Sequence, residues 1–246
     1  MVHNNEYQEA VRRVYYSDVA ERYDDMVDDI LYALKIAKEQ NKKLDITIRN
    51  YFSIAFKNIV SKKRASWRLL NNEKQKNPED SAIIDEKLST IIREILDKSN
   101  LVLETIEKYM PEEEDLKNAE DRDNILVFVY KTKGDYLRYK AEVQTGDKHE
   151  NTKEEAMEAY KKAIEYSKAL LSTDPLRLGL SLNYSVFFYE IMEDADKACK
   201  IAKDAFELAV SELDQLNETH YKDSTLIMQL LRDNITLWTT RNDVKK

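Results

Sequence analysis

Residues 221–238 read YKDSTLIMQLLRDNITLW. Ile227, Leu230, Asn234 and Trp238 recur there at intervals of three and four, the spacing that puts side chains on one face of an α-helix. Residues 176–191, LRLGLSLNYSVFFYEI, show the same period. Leu182, Val186 and Glu190 follow one another at intervals of four, with Asn183 beside them. Helical periodicity extends from these two stretches through nearly the whole chain. It predicts nine helices, at about 4–17, 20–39, 46–75, 80–109, 113–145, 152–172, 175–192, 195–216 and 219–241. Several exceed the ordinary helix length, as antiparallel bundles and solenoids require.

Composition agrees with an all-α chain. Only three glycines and three prolines occur in 246 residues, too few for the turns of an all-β fold. Hydrophobic residues make up 42% and charged residues 35%, which suits helices with broad solvated faces. Pro78, Pro111 and Pro175 fall near expected helix starts, where a missing N–H costs little. Asp174 before Pro175 reads as an N-cap. The acids Glu112–Asp115 suit the positive end of a helix beginning near 113. Glu158 and Lys162 are spaced for an i,i+4 ion pair. Linkers are short and no low-complexity stretch divides the sequence, so one domain over 1–246 is expected, with a core at about 5–240 and a short tail at 241–246.

The net charge of −8 argues against nucleic acid and anionic membrane as partners. No apolar run approaches the length of a membrane span, and Met1–Glu6 carries no apolar leader. A single cysteine, Cys199, excludes an intrachain disulfide and suits a reducing, intracellular setting. His3, His149 and His220 lack metal-ligand spacing. No nucleophile elbow, phosphate loop or dinucleotide fingerprint occurs. No enzyme, metal or cofactor is expected.

Two pairs of cations stand out. Lys57 and Arg64 are seven residues apart, close to two helical turns, and Lys131 and Arg138 repeat that spacing with Tyr139 next in line. Guanidinium and ammonium groups with a phenol suit a phosphate, which brings three acceptor oxygens and a charge of about −1.5 to −2. Spacing alone leaves the ordinary alternative open, since most such pairs are solvated helix surface. The same holds for the apolar stripes, which most often face a core. An asparagine within each stripe offers a donor and an acceptor, as a clamp on a peptide backbone requires.

Five strings taken together resemble the 14-3-3 family in order, content and spacing. They are AERYDDM at 20–26, AFKNIVSKKRASWR at 55–68, KGDYLRYKAE at 133–142, and the two stretches at 176–191 and 221–238. The resemblance implies nine antiparallel helices forming a cup with an amphipathic peptide-binding groove. It implies an adaptor that grips phosphoserine or phosphothreonine segments of client proteins. On that resemblance Lys57, Arg64, Arg138 and Tyr139 hold the phosphate, and Lys131 is a further cation near it. Asn183 and Asn234 hold the peptide backbone. Leu182, Val186, Ile227 and Leu230 form the apolar wall, bordered by Glu190 and Trp238. The phosphate is expected to replace water around clustered cations that otherwise repel one another. The alternative is a helical scaffold that binds unphosphorylated peptide in the same groove.

The resemblance also implies a homodimer through the first four helices, at Tyr16, Ala20, Arg22, Asp25, Ser66, Leu70, Ile84 and Ile91. Arg22, Asp25 and Ser66 keep the family's residues. Tyr16 replaces a smaller apolar residue, Glu73 an apolar one, Ile84 stands near an expected tyrosine, and Ile91 replaces an acid. These departures predict a weaker dimer or a monomer. The basic end of the chain, 241–246, is a poor electrostatic competitor for a basic pocket.

Overall fold

The computed structural model describes residues 2–43, 46–216 and 218–244. It divides into two compact units, Met1–Met110 and Pro111–Lys246. The first holds α1 (Val2–Val19), α2 (Tyr23–Glu39), α3 (Ile46–Lys76) and α4 (Ser81–Tyr109). The second holds α5 (Arg122–Val143), α6 (Asp147–Ser167), α7 (Pro175–Glu190), α8 (Ala195–Ser211) and α9 (Tyr221–Val244). Among the described residues four 3-10 turns supplement them, no strand occurs, and the nine expected helices are present.

In the first unit, α2 shows why the sequence folds as it does. Met26, Val27, Ile30, Ala33, Leu34 and Ala37 are buried at helical intervals, and Asp24 and Asp25 lie in the first turn, where the helix dipole favours them. The helix starts at Tyr23 rather than the expected 20, because Glu21 takes a left-handed conformation with φ 52° between α1 and α2. Phe52 and Phe56 of α3 pack with ring centroids 4.9 Å apart and join this core.

The second unit is built around α5. Ile125–Val129 and Gly134–Arg138 are buried without a break. A helix buried on most of its circumference has packing neighbours on several sides. Here α6 and α7 both pack against it. One consequence governs the site described below: charged side chains on α5 cannot all escape to water.

Several expected boundaries shift for local reasons. The acids Glu112–Asp115 do not open α5. The Asp115 carboxylate accepts the Glu112 backbone N–H at 3.1 Å, and Glu114–Leu116 forms a 3-10 turn anchored by the buried Leu116. Such side-chain bonding to the backbone competes with helix, so α5 starts only at Arg122. Pro111 precedes that turn instead of starting a helix. Pro78 opens a 3-10 turn ahead of α4. Pro175 does take the first position of α7, with Asp174 accepting the Leu176 N–H at 2.8 Å.

α6 begins at Asp147, earlier than the expected 152, after Gly146 at φ 61°. It stops at Ser167, whose hydroxyl donates to the Ile164 carbonyl at 2.8 Å. α8 likewise stops at Ser211, whose hydroxyl donates to Leu208. The expected Glu158–Lys162 pair is not formed among the described residues. Lys162 lies over the Tyr130 ring and 3.9 Å from Glu113. No described helix is long and apolar enough to cross a membrane.

Candidate functional site

The second unit buries a charged network at the middle of α5. Lys131, Asp135 and Arg138 are spaced by four and three residues, so one face carries all three. The Lys131 Nζ donates to Asp135 Oδ2 at 2.8 Å. Across the helix interface, the Tyr160 hydroxyl of α6 donates to Asp135 Oδ1 at 2.6 Å. From α7, the Asn183 amide nitrogen donates to both carboxylate oxygens, at 2.8 and 2.9 Å. Burial pushes the Asp135 pKa up. The charges of Lys131 and Arg138 and the hydrogen bonds from Lys131 and Tyr160 outweigh that and hold it below the ordinary carboxylate value.

Arg138 is itself only 4% exposed. Its Nε donates to the Tyr160 oxygen at 3.1 Å. Its Nη2 lies 3.6 Å from Asp135 Oδ1 and its Nη1 lies 3.9 Å from Glu190 Oε2. The guanidinium sits over the Tyr139 ring, 4.7 Å from the centroid. Burial works against the charge, but Tyr160, Tyr139 and Asp135 overcome it and keep Arg138 ionised. The half-buried Tyr139 packs edge-on against Tyr136.

This arrangement corrects one expectation. Lys131 and Arg138 are not bare cations repelling each other, because Asp135 lies between them and Glu190 stands near Arg138. A buried ion pair contributes little net stability. What it provides here is fixed orientation: an arginine held by its neighbours loses less conformational freedom when it binds an anion.

Asn183 has a defined polarity for the same reason. A carboxylate only accepts, so the amide nitrogen faces Asp135 and the carbonyl oxygen is left to accept an N–H. Leu182 and Val186 are half-buried on α7. At Gly179 of the same helix, the space a Cβ would occupy lies 3.7 Å from Lys131 Cε and 3.9 Å from Ile227 Cδ1, so α5, α7 and α9 converge there. Leu230 is exposed on α9 and Asn234 half-buried. Trp238 is 3% exposed and stacks on Tyr189 at 4.7 Å, so its ring ties α9 to α7 and offers little surface.

The other expected phosphate ligands belong to the first unit. Lys57 is exposed on α3 and Arg64 is half-buried on the same helix. The residues named for self-association also lie in this unit. Tyr16 and Ala20 are exposed, and Arg22 Nε pairs with Asp25 Oδ2 at 2.5 Å on the surface. Ser66 is exposed, its hydroxyl donating to the Lys62 carbonyl at 3.1 Å. Leu70 and Ile91 are half-buried. Ile84 is 9% exposed, whereas the adjacent Ile83 is 64% exposed and joins Tyr15, Val19 and Leu69 as apolar surface.

Sequence reasoning missed Asp135, Tyr160 and Gly134. Asp135 carried a signal, an acid set between two cations on one helical face. Tyr160 carried none, because its partners lie on another helix. The exposed Leu226 and Leu237 extend the Leu230 stripe along α9, at spacings visible in the sequence.

A family model described as 14-3-3 protein matches residues 13–239. A 14-3-3 protein homolog from Encephalitozoon cuniculi is 49% identical over 244 residues, covering 98% of this chain and 93% of that protein. The 14-3-3 protein beta/alpha of Homo sapiens is 45% identical over 238 residues, covering 95% and 93%. That of Gallus gallus shows 45% identity over the same length.

Proposed function

The chain belongs to the 14-3-3 family and is a phosphopeptide-binding adaptor, not an enzyme, and on that premise we propose which of its residues do the binding. Arg138 and Tyr139, with Lys57 and Arg64, hold the phosphate of phosphorylated client proteins. Lys131 adds positive charge near it. Asn183 and Asn234 hold the extended peptide backbone, Asn183 through its carbonyl oxygen. Leu182, Val186, Ile227 and Leu230 receive apolar side chains, with Glu190 and Trp238 at the border. The observation that supports this most is the buried, ionised Arg138, held by the Tyr160 hydroxyl with Asp135 as a nearby counter-charge. A fixed guanidinium matches the fork of phosphate oxygens. An unphosphorylated serine supplies neither the charge nor the acceptors.

The test is a titration of one fluorescent phosphoserine peptide into the wild-type protein and Lys57→Glu. Reversing one charge is expected to weaken binding by about 100-fold or more, from the roughly 1.5–3 kcal/mol of a lost charged hydrogen bond plus new repulsion. Unchanged affinity removes Lys57 from the site.

The same proposal includes cytoplasmic residence, a single domain over residues 1–246, and a homodimer through α1–α4 that is weaker than usual. Tyr16, Glu73, Ile84 and Ile91 are the departures that weaken it. Sedimentation at micromolar concentration is expected to show monomer or a monomer–dimer mixture; a tight dimer contradicts this part.

A further inference from the structure

The Tyr160 side chain is fully buried, so it cannot touch a ligand. Its ring is confined on several sides. A Cβ at Gly134 would fall 2.8 Å from two of its carbons, so the α5 backbone approaches the ring as closely as only glycine allows. The Tyr184 and Phe187 rings of α7 lie 5.5 and 5.4 Å away by centroid. The hydroxyl therefore has a set position. It donates to Asp135 at 2.6 Å and accepts from Arg138 Nε at 3.1 Å.

The Arg138 end of this relay is informative. Its contacts to Asp135 and Glu190, at 3.6 and 3.9 Å, exceed ordinary hydrogen-bond length. Among the described residues, Tyr160 supplies the one hydrogen bond that fixes the guanidinium plane. Holding Nε on one side orients the two terminal nitrogens on the other.

We propose that Tyr160 is a positioning residue for phosphate recognition: its hydroxyl, bridging Asp135 and Arg138, holds the Arg138 fork in the orientation that receives the phosphate. This rests on the reading of Arg138 as a phosphate ligand. Removing that one oxygen in Tyr160→Phe keeps the packed ring and frees the guanidinium to turn. The affinity for a phosphopeptide then falls, although no group within reach of the ligand has changed.

The experiment compares wild type, Tyr160→Phe and Tyr184→Phe. The last is a control in the same aromatic cluster, whose hydroxyl contacts Met157 Sδ at 3.6 Å. Each is titrated with a fluorescent phosphoserine peptide and its plain serine form, and hydrogen exchange of the Arg138 Nε–H is followed by NMR. Tyr160→Phe is expected to lose about tenfold in phosphoserine affinity, one charged hydrogen bond's worth. Its serine-peptide affinity stays unchanged and its Nε–H exchanges fast. Tyr184→Phe keeps the wild-type preference, even where its melting temperature falls.

A wild-type preference in Tyr160→Phe overturns the proposal, as does an equal loss in both variants, which marks mere loosening of the core. Fast exchange of the Arg138 Nε–H in the wild type overturns it without any variant. A wild-type protein that binds both peptides alike overturns the phosphate reading itself, and the positioning role with it.

Discussion

Asp135→Asn is expected to destabilise the second unit by about 3–5 kcal/mol, the cost of leaving one member of a buried ion pair without its partner. The two side chains have the same shape, so packing does not carry the effect. The carboxylate accepts hydrogen bonds from Lys131, Tyr160 and Asn183 at once. An amide turned to accept from Tyr160 presents its own N–H groups to Lys131 and Asn183, setting donor against donor. Arg138 also loses its nearest buried counter-charge. Thermal unfolding should drop by roughly 6–20 °C at this chain length.

The pH dependence follows from the depressed Asp135 pKa. A carboxyl held below its unfolded value, about 3.9, contributes stability that is fully present above that pH. The contribution is lost as pH falls through the lower folded value. Urea unfolding should therefore show the full gap between wild type and Asp135→Asn at pH 7, and the gap should close below about pH 3.9. A gap that persists unchanged in acid contradicts the charge as its origin.

Arg138→Ala carries the second large expected effect, this time on binding. Buried arginines at the centre of an interface typically cost about 2–4 kcal/mol on truncation, or roughly 30- to 1,000-fold in affinity. The phosphoserine peptide should suffer this loss and the plain serine peptide should not. Stability should fall less than in Asp135→Asn. The carboxylate left behind still accepts from Lys131, Tyr160 and Asn183. Isothermal titration and a thermal melt of the same sample separate the two effects. Equal losses for both peptides would place Arg138 in the framework and not at the phosphate.

The contrast between these two variants explains what the sequence could reveal. Period and capping are local, so the helices, the start of α7 at Pro175 behind Asp174, and the stripes of α7 and α9 were legible in the string itself. The start of α5 was not. Glu112–Asp115 suits a helix dipole, yet Asp115 closes on the Glu112 N–H and makes a turn instead. Both outcomes use the same residue types, and the competition between them is invisible to composition.

The site divides in the same way. Lys131, Arg138 and Tyr139 were readable as a basic face because they share one helix. Their state of charge pairing was not, because Tyr160 and Asn183 reach Asp135 from α6 and α7. A list of cations suggested mutual repulsion, while the fold shows an arginine held by a tyrosine and a carboxylate. Trp238 shows the limit in the other direction, since a stripe position names a face without saying which atoms remain uncovered. Its ring is spent on Tyr189.

The central claim is that the phosphate, and not the peptide alone, is what this adaptor recognises. The most direct measurement is the affinity of the unmodified protein for one peptide in phosphoserine and plain serine forms. The account predicts a preference of about 100-fold or more for the phosphorylated form, the equivalent of at least two charged hydrogen bonds. Equal affinity for the two forms contradicts it.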